Sequence, residues 1–263
     1  IAVDYLTKSV KEMVHGPDNT KIDPNLYEGK SFDNINTDTA DALTLKHIRK
    51  EETGSETGKY AAAKDIGDGA GISFGAYQIT EKSGNIEKYL KQLYSKTSDP
   101  LAMMHLQKFK KNVYTGNKES LVNYLKQTGD TNVGRAAQDF LYKNMYLDPA
   151  KELAEKYEIK DKASISQIVD HAVNAGIGGA ARVIRLAAGD YSPLNIAKSR
   201  KSDYSNIISK NGNLAKYQKV WFGRVDRNAK LFTGYDGEAI ATATAEPTEQ
   251  DKQKFDASKN QAT

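Results

Sequence analysis

The sequence predicts a mainly α-helical (α+β) protein with one small β-sheet. Apolar residues recur at helical spacing along most of the chain, as they do between Ile86 and Tyr94. Only the run Ile72–Ile79 is short, glycine-bounded and partly alternating, which is typical of a strand. The 263 residues are 38% hydrophobic and 27% charged, which excludes a wholly disordered or fibrous protein.

The periodic pattern divides the chain into three parts. Residues 1–36 are polar and rich in turn-forming residues, which predicts an N-terminal extension. Residues 37–235 carry the apolar stripes and are predicted to form one domain. Residues 236–263 contain few aromatic residues and are predicted to be a flexible tail or linker. Further predicted helices of the domain include residues 133–141, 165–173 and 214–225.

Composition excludes several classes of site and partner. The chain has no cysteine, so disulfides, thiolate nucleophiles and cysteine zinc sites are excluded. A net charge of +4 without a dense Lys/Arg cluster does not predict a nucleic-acid partner. No run of about 18 apolar residues is present, so no membrane insertion is predicted. The four histidines lack the spacing of metal ligands, so a structural metal site is not predicted.

Glu52 is the first candidate catalytic residue. Leu45, Ile48 and Glu52 lie at i, i+3 and i+7 of a helix that is predicted to begin near residue 38, so they share one face. Apolar surroundings favour the protonated form of a carboxyl group, which is the form that a general acid needs. Glu51 points about 100° away and is expected to be solvated. Alternatively, Glu52 only ends the helix.

Asp68 is the second candidate. It lies in the glycine-rich run Gly67–Gly71, where a sharp turn leaves a carboxylate solvated and ionised. Two carboxyl groups in unlike environments are the acid and base pattern of a glycosidase. Alternatively, Asp68 is only a turn residue, and its pairing with Glu52 is what indicates catalysis.

Two other motifs overlap this region. Gly71–Gly75 matches the G-x-S-x-G nucleophile elbow, with Ser73 as the nucleophile of a serine hydrolase. That elbow needs an apolar strand before it and a helix after it, whereas glycines precede this serine and a strand-like run follows. The glycine run also lacks the Gly-Lys-Ser/Thr sequence of a phosphate-binding loop.

Four segments, taken in order, resemble the glycoside hydrolase family 46 chitosanases and their lysozyme-like relatives. The segments are Glu52–Ser55 with Asp65–Ser73, Arg135–Asp139 with Tyr146–Ala150, Asp170–Gly176, and Arg224–Asp226. The resemblance spans about residues 40 to 232. It implies a two-lobed lysozyme-like fold, with the small sheet at the active-site cleft, and an inverting glycosidase that uses no metal or cofactor.

The resemblance also implies a role for each matched residue. Glu52 would protonate the glycosidic oxygen, Asp68 would activate a water molecule, and Ser73 would position that water where the family has threonine. An inverting reaction needs the two carboxyl groups about 6.5 to 9.5 Å apart. A buried ionic cluster is also expected, formed by Asp139, Arg224 and either Arg182 or Arg185.

Two departures from the family indicate a different polymer. The family's arginine in the glycine turn is Ala70 here, and an acidic residue that chitosanases use falls on Asn85. The segment Ser73–Thr80 is more similar to phage and secretion-system relatives that attack peptidoglycan. We therefore predict a muramidase that cleaves peptidoglycan between N-acetylmuramic acid and N-acetylglucosamine.

The predicted substrate-binding residues carry amide or aromatic side chains. Gln78 and Asn85 could hydrogen-bond an N-acetyl group, and Tyr60 and Tyr77 could stack on a sugar ring. Asn174, in the third matched segment, is a further predicted binding residue.

Four other functions stay open. They are a true chitosanase, a lytic transglycosylase, a serine hydrolase that uses Ser73, and a non-catalytic wall-binding or virion module that keeps the fold. The predicted partner is the peptidoglycan glycan strand, at the bacterial cell wall or in the periplasm. Delivery would be by a phage or a secretion system, and the terminal extensions could join a larger assembly.

Overall fold

The structure is a computed structural model that describes residues 21–29, 39–65 and 70–231. It is mostly helical with little sheet, which confirms the predicted fold class. The chain divides into two compact units. Unit 1 comprises Ile1–Ile35 and Glu52–Leu141, and unit 2 comprises Asn36–Glu51 and Tyr142–Thr263. The predicted tail, residues 236–263, lies outside the described residues, and the predicted domain boundaries stay predictions.

The α-helices of the described residues include the predicted stripes 86–94, 133–141 and 165–173, together with helices that the sequence analysis did not single out. They are α1 (Thr39–Thr53), α2 (Asn85–Thr97), α3 (Pro100–Leu106), α4 (Lys118–Gly129), α5 (Asn132–Tyr142), α6 (Asp148–Lys156), α7 (Lys162–Ala187), α8 (Pro193–Lys210) and α9 (Gln218–Ala229). A π-helical segment, Lys143–Leu147, joins α5 to α6, and a 3-10 helix, Gly212–Tyr217, precedes α9. The predicted helix 214–225 is therefore α-helical only from Gln218 onward. None of the helices in the described ranges is long and apolar enough to cross a membrane.

The sheet of unit 1 has three short antiparallel strands, β1 (Ala63–Asp65), β2 (Ile72–Phe74) and β3 (Ile79–Thr80), in that order. The prediction of one continuous strand over residues 72–79 is wrong. The backbone turns at Gly75 (φ +80°) and Gln78 (φ +48°), and the Gln78 N–H donates to the Gly75 carbonyl at 3.3 Å. These positive φ angles end the extended conformation and make a hairpin.

A second hairpin, β4 (Phe109–Lys110) and β5 (Val113–Tyr114), was not predicted. Its two-residue turn consists of Lys111 and Asn112, whose φ angles are +49° and +64°. Two positive φ angles are typical of a type I′ turn, which Asn-Gly or Asp-Gly usually marks. Lys-Asn is a weak signal for such a turn, which explains why the sequence did not reveal it.

The core of unit 1 joins the sheet to helix α2. Phe74 of β2 and Tyr89 of α2 are fully buried, with their ring centroids 4.8 Å apart. Part of the predicted N-terminal extension also packs here. Tyr27 is 4% exposed, and its hydroxyl donates to Asp99, which accepts a second bond from the Tyr124 hydroxyl at 2.7 Å. Burial and the Asp99 carboxylate raise the pKa values of both tyrosines.

The core of unit 2 is made by the later helices. Ile168 and Val169 of α7 are fully buried, which confirms the predicted stripe, and Gly176 interrupts the regular helix with a φ of +71°. Tyr204 of α8 packs on Trp221 of α9, with ring centroids 5.0 Å apart. Aromatic packing of this kind stabilises the contact between two helices.

Candidate active site

Glu52 occupies the last turn of helix α1, which ends at Thr53. The two apolar residues on its predicted face, Leu45 and Ile48, are 7% and 0% exposed, and Glu52 itself is half-buried. Gly54 follows with a φ of +71°, a conformation that commonly ends a helix. The side chain therefore lies at the end of the buried stripe, as the spacing predicts.

Glu51 corrects one expectation. Its side chain is only 9% exposed because the Arg227 guanidinium of α9 binds it with two hydrogen bonds, from Nε to Oε1 at 2.6 Å and from Nη2 to Oε2 at 2.7 Å. Burial alone would raise the pKa of Glu51, but the bonds from Arg227 lower it. Glu51 is therefore an ionised partner in unit 2, and the prediction that it is solvated was wrong.

Asp68 lies outside the described residues, as do residues 66–69 as a whole. The strands on either side are described, and Asp65 of β1 pairs with Ile72 of β2 across the sheet. Residues 66–71 therefore form the connection between β1 and β2. The distance between the carboxyl groups of Glu52 and Asp68 stays a prediction.

Ser73 lies in the middle of β2, between the fully buried Ile72 and Phe74. Because successive side chains of a strand point to opposite faces, Ser73 lies on the other face of the sheet, where it is half-exposed. Its cross-strand neighbours are Lys64 and Thr80. A serine inside a strand is not at the strand-to-helix turn that a nucleophile elbow requires, so the structure disfavours a serine hydrolase.

Tyr60 and Tyr77 are brought together by Asp139 of α5. Both hydroxyl groups donate to Oδ1 of Asp139 at 2.7 Å, and the rings meet edge to face with centroids 6.3 Å apart. The two tyrosines are only 6% and 5% exposed. Rings this buried offer little surface to a ligand, and their predicted stacking on a sugar stays a prediction.

Gln138, which the sequence analysis did not single out, holds the turn that carries Gln78 by hydrogen bonds. Its Oε1 accepts from the Ala76 N–H at 2.9 Å, and its Nε2 donates to the Tyr60 carbonyl at 3.1 Å. Gln78 is half-buried, and its own Nε2 donates to the Gly75 carbonyl at 3.1 Å. The sequence signal for this role was the adjacent pair of Gln138 and Asp139, because a polar and an acidic residue on a largely buried helix need hydrogen-bond partners.

The two predicted asparagines lie in different units. Asn85 begins α2, is 5% exposed, and accepts from the Lys88 ammonium at 3.3 Å. Asn174 lies exposed on α7, and when its amide oxygen faces Arg224 it accepts from Nε and Nη1, each at 3.3 Å. Their roles in substrate binding stay predictions.

A buried ionic cluster in unit 2 is centred on Asp170, which is fully buried. Its Oδ1 accepts from Nε and Nη2 of Arg224 at 2.9 and 2.8 Å, and its Oδ2 accepts from Arg200. Burial alone would raise the pKa of Asp170, but the two guanidinium groups hold it well below its usual value. Arg200 also donates to the Asn228 side chain at 2.8 Å.

This cluster differs in membership from the predicted one. Arg224 is a member, as predicted, but its described carboxylate is Asp170, and the second cation is Arg200. Arg182 instead binds Asp203, from Nε to Oδ1 at 2.7 Å. The predicted participation of Asp139 stays a prediction. Charged residues inside otherwise buried helices were the signal for Asp170 and Arg200.

The described candidate residues provide carboxyl, hydroxyl and amide groups, which are the groups that acid–base hydrolysis uses. Among the residues that the structure describes, no group of three histidine, aspartate or glutamate side chains is arranged to hold a metal ion. Unit 1 thus contains a half-buried carboxyl group, that of Glu52 at the end of α1. It also contains a hydroxyl group, that of Ser73 on the half-exposed face of β2.

Comparison with known proteins identifies what this arrangement resembles. The model of the family described as "Glycosyl hydrolase family 46" matches residues 47–194, which is more than half of the chain and includes Glu52, Ser73 and Asn174. No curated protein matches the sequence.

Solved structures with a similar fold are chitosanases. A Gynuella sunshinyii GH46 chitosanase in complex with chitotetraose has a TM-score of 0.63 and 19% identity, over 74% of this chain and 88% of that one. A Bacillus subtilis MY002 chitosanase variant with six GlcN units has a TM-score of 0.59 and 14% identity, over 73% and 86%. The native chitosanase of that bacterium has a TM-score of 0.57 and 15% identity, over 80% and 92%. At these identities, the similarity concerns the fold.

Proposed function

Because this chain belongs to glycosyl hydrolase family 46, we propose that it is an inverting glycosidase that cleaves β-1,4 bonds between the glucosamine units of chitosan. The observation that carries the proposal is the family match over residues 47–194, which contains both predicted carboxyl groups and Ser73. The similar folds of chitosanases, one with chitotetraose and one with GlcN units bound, support chitosan as the first substrate to test. Chitosan therefore replaces peptidoglycan as the leading candidate.

In the proposed reaction, the Glu52 carboxyl group donates its proton to the glycosidic oxygen, and the bond from that oxygen to the anomeric carbon breaks. A water molecule attacks the same carbon from the opposite face, and Asp68 accepts the proton that the water loses. Ser73, on the half-exposed face of β2, would hydrogen-bond and orient this water. The products are a shortened chain and a new reducing end with inverted anomeric configuration.

Peptidoglycan is a second candidate, favoured by two residues. Ala70 and Asn85 occupy positions where the resemblance implies an arginine and an acidic residue. A carboxylate suits a cationic amino sugar, whereas an amide can hydrogen-bond a neutral N-acetyl group. If peptidoglycan is the substrate, the protein acts at the bacterial cell wall, after delivery by a phage or a secretion system.

Digestion in heavy-oxygen water, followed by mass spectrometry, distinguishes these candidates. Chitosan fragments with one heavy oxygen at the new reducing end support the proposal. Such fragments from peptidoglycan alone support the second candidate instead. Anhydro sugars without heavy oxygen indicate a lytic transglycosylase, and a folded protein that yields no products from either polymer indicates a binding module.

Two variants test the roles of the residues in the same digestion. Glu52→Gln keeps the shape of the side chain but removes its acidic proton, and it should slow product formation by about 10²- to 10⁴-fold. Glu155→Gln, on the exposed face of α6, is the matched control and should retain the wild-type rate. Equal rates for the wild type and Glu52→Gln would refute Glu52 as the acid.

A further inference from the structure

Helix α1 carries a polar stripe beside the apolar stripe that ends at Glu52. The polar stripe consists of Thr44, His47 and Glu51, which lie at i, i+3 and i+7 and so share one face of the helix. Thr44 and His47 are buried, and the side chain of Glu51 is 9% exposed. Because buried polar groups need partners, this face of the helix depends on polar groups of other helices.

The first two residues of the polar stripe contact helix α7. The Thr44 hydroxyl donates to the Ser166 hydroxyl at 2.8 Å. One turn later, His47 Nε2 lies 3.8 Å from Oδ1 of the buried Asp170. These two contacts place the middle of α1 against α7 and leave the last turn of α1 to the third residue of the polar stripe.

Glu51, the third residue, is held by helix α9. Arg227 donates to its two carboxylate oxygens, from Nε at 2.6 Å and from Nη2 at 2.7 Å. Two parallel bonds between a guanidinium group and a carboxylate fix the orientation of the side chains as well as their distance. Burial alone would raise the pKa of Glu51, but the bonds from Arg227 lower it, so the pair is charged at neutral pH.

The part of α9 that carries Arg227 is itself anchored. Arg224, one turn earlier, donates from Nη2 to Oδ1 of Asp170 at 2.8 Å. Asn228, the next residue, is fully buried and donates to the Ser166 hydroxyl at 3.3 Å. Because the helix is fixed on both sides of Arg227, its guanidinium group is a firm attachment for the last turn of α1.

We propose that Arg227 is a positioning residue that holds the last turn of α1 through Glu51 and thereby sets the place of the Glu52 carboxyl group. The inference rests on the proposed function, in which Glu52 protonates the glycosidic oxygen. Glu52 directly follows Glu51 in the same helix, and Gly54, with a φ of +71°, lies just beyond the helix end. A displacement of about 1 Å at a catalytic group can cost about 10²-fold in rate.

Arg227→Met tests the proposal, with Lys151→Met as the matched control. Lys151 of α6 also binds a carboxylate of α1, from Nζ to Oδ2 of Asp41 at 2.6 Å, but Asp41 lies in the first turn of that helix. We expect Arg227→Met to lower kcat by about 10- to 100-fold with KM changed less than about twofold, and Lys151→Met to keep kcat within about twofold. Arg227→Lys keeps the charge but not the two parallel bonds, and it should restore part of the lost kcat.

A double variant shows whether Arg227 acts through Glu51. Glu51→Met should lower kcat by a factor similar to that of Arg227→Met. The double variant should lose no more than the larger of the two single losses, because residues that act as a unit are not additive. If the two losses multiply instead, Arg227 does not act through Glu51 and the inference fails.

Hydrogen–deuterium exchange of a peptide covering residues 48–54 reports on the same turn without depending on activity. Exchange should become faster in Arg227→Met and stay at the wild-type rate in Lys151→Met. The two cationic side chains are 53% and 39% exposed, so both variants should stay folded at the assay temperature, which thermal unfolding checks.

Failure of the inference differs from failure of the proposed function. If the wild type cleaves neither polymer, the proposed function fails, whereas the exchange rates still decide whether Arg227 holds this turn. Wild-type exchange in Arg227→Met, a wild-type kcat in that variant, or an equal loss of kcat in Lys151→Met would overturn the inference.

Discussion

Replacing the buried Asp170 by asparagine should destabilise the protein strongly. The substitution keeps the shape of the side chain but removes the negative charge from between Arg200 and Arg224, whose side chains are 0% and 7% exposed. Removing one partner of a buried ion pair costs about 3 to 5 kcal/mol because the remaining charge is left uncompensated. At about 2 to 4 °C per kcal/mol for a chain of this size, the midpoint of thermal unfolding should fall by roughly 10 °C.

The pH dependence of this loss follows from the lowered pKa of Asp170. The folded pKa lies well below the ordinary value of 3.8, so the carboxylate contributes its full stabilisation above that value and loses it as the pH falls through the folded pKa. The difference in unfolding free energy between wild type and Asp170→Asn should therefore be constant near neutral pH and shrink below about pH 4.

Urea unfolding and calorimetry of Asp170→Asn measure both effects. Asp148→Asn is the matched control because Asp148 binds Lys143 near the surface, where the two side chains are 35% and 30% exposed. An exposed pair of this kind contributes less than about 1 kcal/mol. The reasoning is refuted if Asp170→Asn unfolds within about 1 kcal/mol of the wild type, or if the control loses as much stability.

Three further substitutions test local packing and charge, at Gly75 and His105 in unit 1 and at Gly178 in unit 2. Gly75→Ala should lower the free energy of unfolding by about 2 kcal/mol or more, because φ is +80° and the added Cβ would lie 1.9 Å from Gln138 Oε1. Gly178→Ala, at an exposed position of α7, has open space and should instead stabilise the protein by up to about 1 kcal/mol. Equal thermal midpoints for the two variants would contradict this prediction. Burial lowers the pKa of His105 to about 4, and its Nδ1 lies 2.7 Å from the Tyr114 hydroxyl. Since the unfolded histidine binds a proton near pH 6.5, stability should fall as the pH drops from about 6.5 towards 4. His105→Gln should reduce that decline in urea unfolding at pH 7 and pH 5, and an unchanged pH dependence would argue against it.

The helices were predictable because a buried stripe repeats every three or four residues within one segment. That periodicity located α2, α5 and the first half of α7, because the spacing of apolar residues within each segment marks the face that is buried. The short strands were harder because their turns depend on positive φ angles at residues other than glycine. Gln78 and Lys111 adopt such angles, and the turn that carries Gln78 is held by a bond from Ala76 to the distant Gln138.

The positions of candidate site residues were predictable only where they depend on residues of the same helix or strand. Glu52 lies where its spacing from Ile48 places it, because both belong to one helix. The solvation of Glu51 was mispredicted because Arg227 is 176 residues away in the sequence. The hydrogen bonds of Tyr60 and Tyr77 to Asp139 likewise join segments that no local pattern connects.

The configuration of the first product tests the central claim most directly. Proton NMR of the wild type acting on a glucosamine hexamer should show the α-anomer of the new reducing end first, before it equilibrates with the β-anomer, because an inverting reaction on a β-linked substrate gives that product. Glu52→Gln should show neither signal on the same time scale. Initial formation of the β-anomer would contradict the two-carboxylate inverting mechanism, and the absence of any product from the wild type would contradict chitosan as the substrate.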